Sequence, residues 1–298
     1  MSDTALVTRI APSPTGDMHI GTARTAYFNW LLAKASGGRF ILRIDDTDVE
    51  RNKEEHVDVI LNTIKWLGLT ADNMFKQSEQ TNQYESAIAG LDRAGYLVKL
   101  DNGALALRWT DAMPKEWVDE ICGPVRITQT NIDQIDGRVI LCRGGDKLGQ
   151  FTYQFATVVD DYVSGVNYIC RGTDHISNTA KQVAIWSALA TVDPVEPRPL
   201  PKFAHIGLIF KDGKKMSKRD GAASMLYYRD ANYHPEALLN YVLRLGWAPR
   251  GGDDRKYNII PRSLAVDIFL TEGTMKNSIS SFDANKLEWY NKKYKATA

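Results

Sequence analysis

Long apolar runs are missing from this chain of 298 residues. Stretches such as Val57 to Leu69 and Leu238 to Leu245 are interrupted by Asp58, Asn62 and Lys65 or by Arg244, well short of the roughly 18 uninterrupted apolar residues that a membrane span needs. No membrane partner is therefore expected. Met1-Ser2-Asp3-Thr4 does not open a basic, then apolar, then small-residue leader, so no secretory signal is read and the expected compartment is the cytoplasm. Cysteine is scarce. Cys122, Cys142 and Cys170 form no Cys-x-x-Cys pair and have no His at finger spacing, which argues against a disulfide framework and against a zinc or other metal site. A net charge of one sign is lacking as well: 37 basic against 36 acidic residues leave +1, which excludes a general polyanion binder but leaves local basic faces open.

What is present, 44% apolar and 24% charged residues, excludes disorder and collagen and fits one sizeable core or two smaller ones. Leu6 to Ile10 is a short β-rich run closed by Pro12 and Pro14, after which Ile20, Ala23, Tyr27 and Leu31 recur at helical spacing until Gly37-Gly38. Arg39 to Ile44 reads as a second strand, Val57 to Leu67 as the buried stripe of a second helix, and about Ser78 to Ala94 as a third helix capped by Gly95. Such alternation predicts a parallel sheet covered by helices. From residue 96 the pattern turns β-rich, with a hairpin signal at Asp101-Asn102-Gly103 and further runs at Pro124 to Thr130 and Arg138 to Arg143. The α/β pattern returns with Val166 to Arg171 and Asn178 to Ala190; beyond residue 225 it becomes mostly helical, with Pro235 opening one helix and Gly246 closing it.

Two loops carry candidate chemistry. Ala11 to Thr22 delivers His19 to the first turn of the first helix, where free N–H groups and the positive end of the macrodipole make a seat for phosphate. His19 can donate to phosphate oxygens there, and Gly21 lets a flat ligand lie against the backbone. Taken alone, one His beside one Gly reads more readily as a capping or packed histidine. The second loop, Lys211 to Gly221, is a Gly-bracketed turn bearing Lys214, Lys215, Ser217 and Lys218. It is either a solvated basic turn or a segment that closes over a triphosphate and neutralises charge at the α-phosphate.

His19-Ile20-Gly21-Thr22 and Lys215-Met216-Ser217-Lys218-Arg219 resemble, in order and in position, the two signature motifs of class I aminoacyl-tRNA synthetases. Arg9 to Gly16, Arg39 to Asp48, Val158 to Asp161, Arg171-Gly172 with Asp174-His175, Asn178 to Gln182, Pro235 to Tyr241 and Phe282 to Leu287 narrow the resemblance to glutamyl-tRNA synthetases, along almost the whole chain. The resemblance implies an α/β fold: a Rossmann-type doubly wound parallel sheet over residues 1–97 and 151–225, a reduced, β-rich acceptor-end insertion at 98–150, and a helical stem-contact segment at 226–298. It implies ATP with Mg2+ as substrate, L-glutamate, and a tRNA acceptor stem as partner, with the chain acting as a monomer. Catalysis would rest on His19, Lys218 and Lys215, and ATP binding on His19, Gly21, Thr22, Lys215, Ser217 and Lys218. Glutamate would be held by Arg9, Ala11, Ser13, Asp45, Tyr153 and Arg171, the guanidinium being the better cation because it grips carboxylate bidentately. Asp46 and Asp48 read instead as acids of a strand-end turn.

The chain also departs from that family. No helical anticodon-binding domain is expected beyond residue 298, Asp45 stands where Glu is usual, and Thr173 where many relatives have Glu. Short relatives that place glutamate on queuosine of tRNA(Asp) offer an alternative, although the zinc-site cysteines and degenerate second motif of that branch are missing here. Another alternative is an idle relative that binds RNA through Lys214, Lys215, Lys286, Lys292 and Lys293, and a third is a ligase passing activated glutamate to a small amine or peptide.

Overall fold

The structure is a computed structural model, and it describes residues 4–47, 52–147, 149–193, 197–216, 224–250 and 257–296. At the start of the chain Val7–Ile10 (β1), Ile20–Ala35 (α1), Arg39–Ile44 (β2), Glu54–Trp66 (α2) and Asn73–Lys76 (β3) alternate, and Thr81–Arg93 (α3) follows. A strand followed by a helix returns the chain to its starting end, so the next strand pairs in parallel. Val7 accordingly lies opposite Arg39, and Ile41 opposite Asn73. Next come Leu97–Lys99 (β4), Leu105–Arg108 (β5), Glu116–Asp119 (β6), Gly123–Arg126 (β7), Gln129–Asp133 (α4), Arg138–Cys142 (β8) and Tyr153–Val163 (α5). Tyr168–Gly172 (β9), Ile176–Val192 (α6) and Lys202–Ile206 (β10) make the second strand–helix–strand unit, with Lys202 opposite Tyr168.

β9 starts beside β1. The N–H of Asn167 donates to the carbonyl of Val7 at 3.1 Å, and the N–H of Val7 donates to Asn167 Oδ1 at 2.8 Å. The two parallel sheets therefore abut in the order β3-β2-β1-β9-β10, the doubly wound arrangement that the alternation predicts. The strand order reverses between β1 and β9, and at such a switch point the loops leaving the two strands diverge and open a crevice.

Side chains alternate across β2. Phe40, Leu42 and Ile44 enter the core that contains Leu31 and Leu32 of α1, while Ile41 packs on the opposite face with Val183 of α6. Arg43 shares the face of Ile41, an arginine placed where a strand would ordinarily bury an aliphatic. The same parity puts Ile10 of β1 in the α1 core and Arg9 on the Arg43 face.

The β-rich region at 98–150 does not form one unit. β4, β5 and β8 make a small antiparallel sheet around a turn at Gly103 (φ +83°), and its Leu107, Val139 and Leu141 pack with Tyr84 and Phe155. The β6–β7 hairpin instead extends the central sheet: Asp119 lies opposite Phe203 of β10, and Trp117 packs with Ile169 and Phe203. Burial of Trp117 against the sheet edge gives that hairpin its reason to leave its neighbours.

The remainder comprises Ile209–Lys211 (β11), Lys214–Lys215 (β12), Met225–Asp230 (α7), Pro235–Arg244 (α8), Trp247–Pro249 (β13), Arg262–Ile268 (α9), Gly273–Met275 (β14), Ser280–Ser281 (β15) and Ala284–Lys295 (α10). Short strands thus punctuate the helices expected beyond 225. Pro235 sits at the first turn of α8, with His234 capping the N–H of Glu236. Leu238, Trp247, Phe269 and Leu287 share one core with Leu31 and Leu32 of α1, so this segment is fused to the sheet domain rather than appended to it. Among the described residues no helix is long and apolar enough to cross a membrane.

Two adjacent glycines end α1 for different reasons. Gly37 adopts φ +68° with open space around it, whereas a Cβ on Gly38 would run into the backbone of Leu6, which accepts a hydrogen bond from Arg39 N–H at 3.0 Å. Gly38→Ala should destabilise the protein by about 1–3 kcal/mol through overpacking at the start of β1. Urea denaturation measures this, and a midpoint indistinguishable from wild type would refute the close approach.

Candidate active site

A cleft of about 370 Å³ opens at the carboxyl ends of β1 and β9. Arg9, Ala11, Ser13, His19, Gly21, Thr22, Tyr153, Arg171 and Lys215 all line it, so residues far apart in sequence converge at the switch point. Asp45 is buried beside the cleft without lining it, and Ser217 and Lys218, like Asp48, lie outside the described residues.

At one end, His19 caps α1. Its Nδ1 accepts from the N–H of Gly21 at 3.0 Å and of Thr22 at 3.2 Å; in the neutral ring the proton is therefore on Nε2, 3.1 Å from Thr22 Oγ1. A Cβ on Gly21 would sit 2.9 Å from the His19 ring, so the glycine makes room for the histidine. Two N–H groups expected to greet phosphate are thus capped, and the imidazole itself is what this helix end presents. The loop is tied down by Ser224, whose hydroxyl donates to Asp17 Oδ2 at 2.8 Å, and by Met225 N–H donating to the Met18 carbonyl at 2.9 Å. Lys215 reaches over the opening, its Nζ 2.8 Å from Asp174 Oδ2. Burial works against the Asp174 carboxylate, but the hydrogen bond from Lys215 and the neighbouring charges together outweigh it and hold the group below its usual range.

At the other end lies a buried ionic cluster. Arg9 Nε donates to both carboxylate oxygens of Asp161 at 3.1 Å. Arg43 joins Asp45 at 2.6 Å through Nε and Asp161 at 2.7 Å through Nη1, and its Nε lies 3.6 Å from Asp160. Asp160 is otherwise met by neutral donors, Gln77 Nε2 at 2.7 Å and the Tyr84 hydroxyl at 2.9 Å. Three carboxylates thus face two guanidinia, and burial raises both Asp45 and Asp160 above the usual carboxylate range. Burial pushes the Asp160 carboxyl up to about 7, only partly opposed by Arg43. Asp45, expected from the resemblance to meet glutamate, is engaged by Arg43.

Arg171 ends β9. It is 6% exposed, and burial lowers its pKa to about 10. Its Nη2 donates to Thr179 Oγ1 and Gln182 Oε1, each at 2.7 Å, and its Nε donates to His205 Nε2 at 3.1 Å. Nη1 is buried with no partner among the described residues. A buried cationic N–H with nothing to donate to is costly, and the arrangement suits an anionic ligand. His175 lines the cleft beside Tyr153, ring centroids 6.5 Å apart, and burial with the charge of Arg171 depresses it to about 4.

Arg43, Asp160, Asp161, His205 and Asp119 were not singled out as site residues from sequence. Arg43 breaks the apolar parity of β2, and that irregularity was a usable signal; His205 and Asp119 sit in ordinary strand contexts and offered none.

Residues 5–99 and 98–289 match the family model described as class I tRNA synthetases (E and Q), catalytic domain. The chain is 39% identical over 321 residues to a glutamate–tRNA ligase of Nitratidesulfovibrio vulgaris, covering 97% of this chain and 66% of that protein. It is 40% identical over 290 residues to glutamate–tRNA ligase 2 of Neorickettsia sennetsu, with the same coverage of 97% and 66%. The fold is that of the crystal structure of a glutamate tRNA ligase from Elizabethkingia meningosepticum in complex with its amino acid, with a TM-score of 0.80 at 24% identity over 99% of this chain and 70% of that one. The chain thus spans just under two thirds of the length of the two curated relatives.

Asp160 makes the cluster pH-sensitive. Its carboxyl titrates at about 3.9 in an unfolded chain and at about 7 in the fold. Because the folded state holds this proton more tightly, the associated stability is complete below about pH 4 and is lost as pH rises to about 7. Asp160→Asn should remove that decline, so the variant gains stability relative to wild type between those limits. Chemical denaturation of both proteins across the range tests it, and parallel stability–pH curves would refute the assignment.

Proposed function

Because the chain belongs to the family of class I tRNA synthetase catalytic domains for glutamate and glutamine, we propose that it activates L-glutamate with MgATP and passes the glutamyl group to the 3′ end of tRNA(Glu). The observation that carries this reading is Arg171: a buried guanidinium with Nη1 unpartnered among the described residues, lining the same cleft as His19 at a helix N-terminus and Lys215. That polarity suits an amino acid with a side-chain carboxylate at one end and a triphosphate at the other.

In the first step an oxygen of the glutamate α-carboxylate bonds to the α-phosphorus while the bond from that phosphorus to the bridging β-oxygen breaks, leaving glutamyl-adenylate and pyrophosphate. In the second, a ribose hydroxyl of the tRNA end attacks the acyl carbon and AMP departs. The protein supplies position and charge rather than a covalent partner. Arg171 takes the γ-carboxylate, and Arg9 with Ala11, Ser13 and Tyr153 borders the amino acid. His19 Nε2–H and Lys215 meet the phosphates, together with Ser217 and Lys218 on the strength of their motif. Lys215 must leave Asp174 to do so, and the exposed position of that pair makes the exchange inexpensive. Mg2+ arrives with ATP and neutralises the leaving pyrophosphate. We assign residues 1–97 and 151–225 to catalysis, 98–150 to the acceptor end and 226–298 to the tRNA stem, and we place a monomeric enzyme in the cytoplasm.

Arg171→Ala should raise the KM for glutamate about 30- to 1,000-fold while changing that for ATP little, as expected when one member of a buried charge pair is removed. Lys215→Ala and Lys218→Ala should slow activation by about 2–4 kcal/mol in barrier height. Glutamate-dependent exchange of pyrophosphate into ATP, with tRNA(Glu) supplied, measures each of these. Labelled glutamate should reach tRNA(Glu) and be lost after prior periodate oxidation of the 3′ end. Periodate-resistant label on tRNA(Asp) would replace this acceptor with queuosine, and absence of exchange would overturn the reading.

A further inference from the structure

Arg171 lines the cleft, and its Nη1 is buried without a partner among the described residues while the rest of the guanidinium is held. Thr179 and Gln182 occupy Nη2, and His205 Nε2 accepts from Nε at 3.1 Å. His205 can accept there only when its own proton is on Nδ1, since an Nε2–H would meet Arg171 donor to donor. Asp119 decides this. Its Oδ2 lies 2.6 Å from His205 Nδ1 and has no proton to give. The carboxylate is itself fixed by the N–H groups of Ile121 at 3.0 Å and Cys122 at 2.8 Å, and by the N–H of His205 at 3.2 Å. Against burial, the hydrogen bond with the His205 ring and the N–H groups of Cys122 and Ile121 together hold Asp119 below the usual carboxylate range, while burial and the charge of Arg171 lower the pKa of His205. Both side chains are fully enclosed, and Asp119 belongs to the hairpin that joins the sheet edge at Phe203.

We propose that Asp119 and His205 are positioning residues for the amino-acid site: Asp119 selects the Nδ1–H tautomer of His205, and His205 Nε2 then holds Arg171 with Nη1 turned into the cleft to receive the side-chain carboxylate. The proposal rests on the glutamate reading above. It assigns the β6–β7 hairpin a function beyond packing, because the residue that orients the carboxylate-binding arginine is supplied, through one imidazole, by a strand that never touches the cleft. The logic is that of an ionised acid fixing the tautomer of a buried histidine so that its other nitrogen serves as acceptor.

The test compares wild type with His205→Phe, His205→Gln and Asp119→Asn in glutamate-dependent pyrophosphate exchange with tRNA(Glu) present, recording separate KM values for glutamate and ATP and a melting temperature for each protein. His205→Phe should raise the glutamate KM roughly 10- to 100-fold, the span for losing a hydrogen bond to a charged group, with the ATP KM within about twofold. Asp119→Asn should shift glutamate in the same direction, because its amide can donate to Nδ1 and favour the wrong tautomer. His205→Gln should restore most of the loss, since its Oε1 can face Arg171 while its amide N–H faces Asp119. A purely structural role would move both KM values together and would show no rescue by glutamine. Glutamate KM unchanged in His205→Phe, equal loss for both substrates, or His205→Gln no better than His205→Phe would each overturn the proposal and leave the glutamate reading intact. Should His205→Phe fail to fold, Asp119→Asn and His205→Gln against wild type decide the matter by the same KM comparison. Wild type with no glutamate-dependent exchange would instead remove the premise and the proposal together.

Discussion

The crevice between β1 and β9 keeps its shape because Arg9 and Arg43, on neighbouring parallel strands, both grip Asp161 of α5. This is an expensive way to pin a helix to a sheet. Each buried ion loses several kcal/mol of hydration, and the mutual attraction repays that only with close geometry and a full set of hydrogen bonds. Aliphatic side chains on the same face would pack α5 at least as firmly. What they could not supply is fixed charge at the floor of a cleft, held in position before any ligand arrives.

That charge has a direction. Arg9, Arg24, Arg43, Arg171 and Lys215 line the cleft against Asp17 and Asp174, a local positive excess inside a protein whose formal charge is only +1. The carboxylates that pair with Arg9 and Arg43, namely Asp45, Asp160 and Asp161, are buried and do not line the cleft, whereas the two arginines do. In a site partly shielded from water such an arrangement attracts anions at both ends without the reorganisation that solvent would require. The surplus carboxyl, Asp160, is accommodated by its raised affinity for a proton and by Tyr84 and Gln77 rather than by another cation.

Legibility in the sequence followed the range of the interactions. The first strand, α1, β2 and α2 could be read because apolar period and glycine stops are local signals, and the hairpin at Asp101 to Gly103 because its turn chemistry is local too. The motif loops could be read because their residues are contiguous. The two destinations of the 98–150 region could not, since the attachment of β6 to β10 rests on a short register at Asp119 and Phe203 and on the burial of Trp117. Arg9, Tyr153 and Arg171, named from the resemblance, line one cleft, but the resemblance said nothing of what holds them. It also gave no sign that Asp45 pairs with Arg43.

The fusion of residues beyond 225 to the α1 core has a mechanical consequence. α1 carries His19 at its amino end, and its flank is packed by α8 and α9 and by Phe28 against Phe269, ring centroids 5.4 Å apart. From the same helix the buried Arg24, which also lines the cleft, donates to the carbonyls of Leu245 and Gly207 and so ties the end of α8 and the β10–β11 turn to α1. The helix that sets the position of His19 is therefore clamped between the sheet and the later helices, whereas Arg171 is set from the opposite edge of the sheet. Each end of the cleft thus has its own support. Substitutions in α8 or α9 should disturb the phosphate end first, and substitutions in the β6–β7 hairpin the amino-acid end, because a packed core transmits displacement to the elements it touches before those it does not.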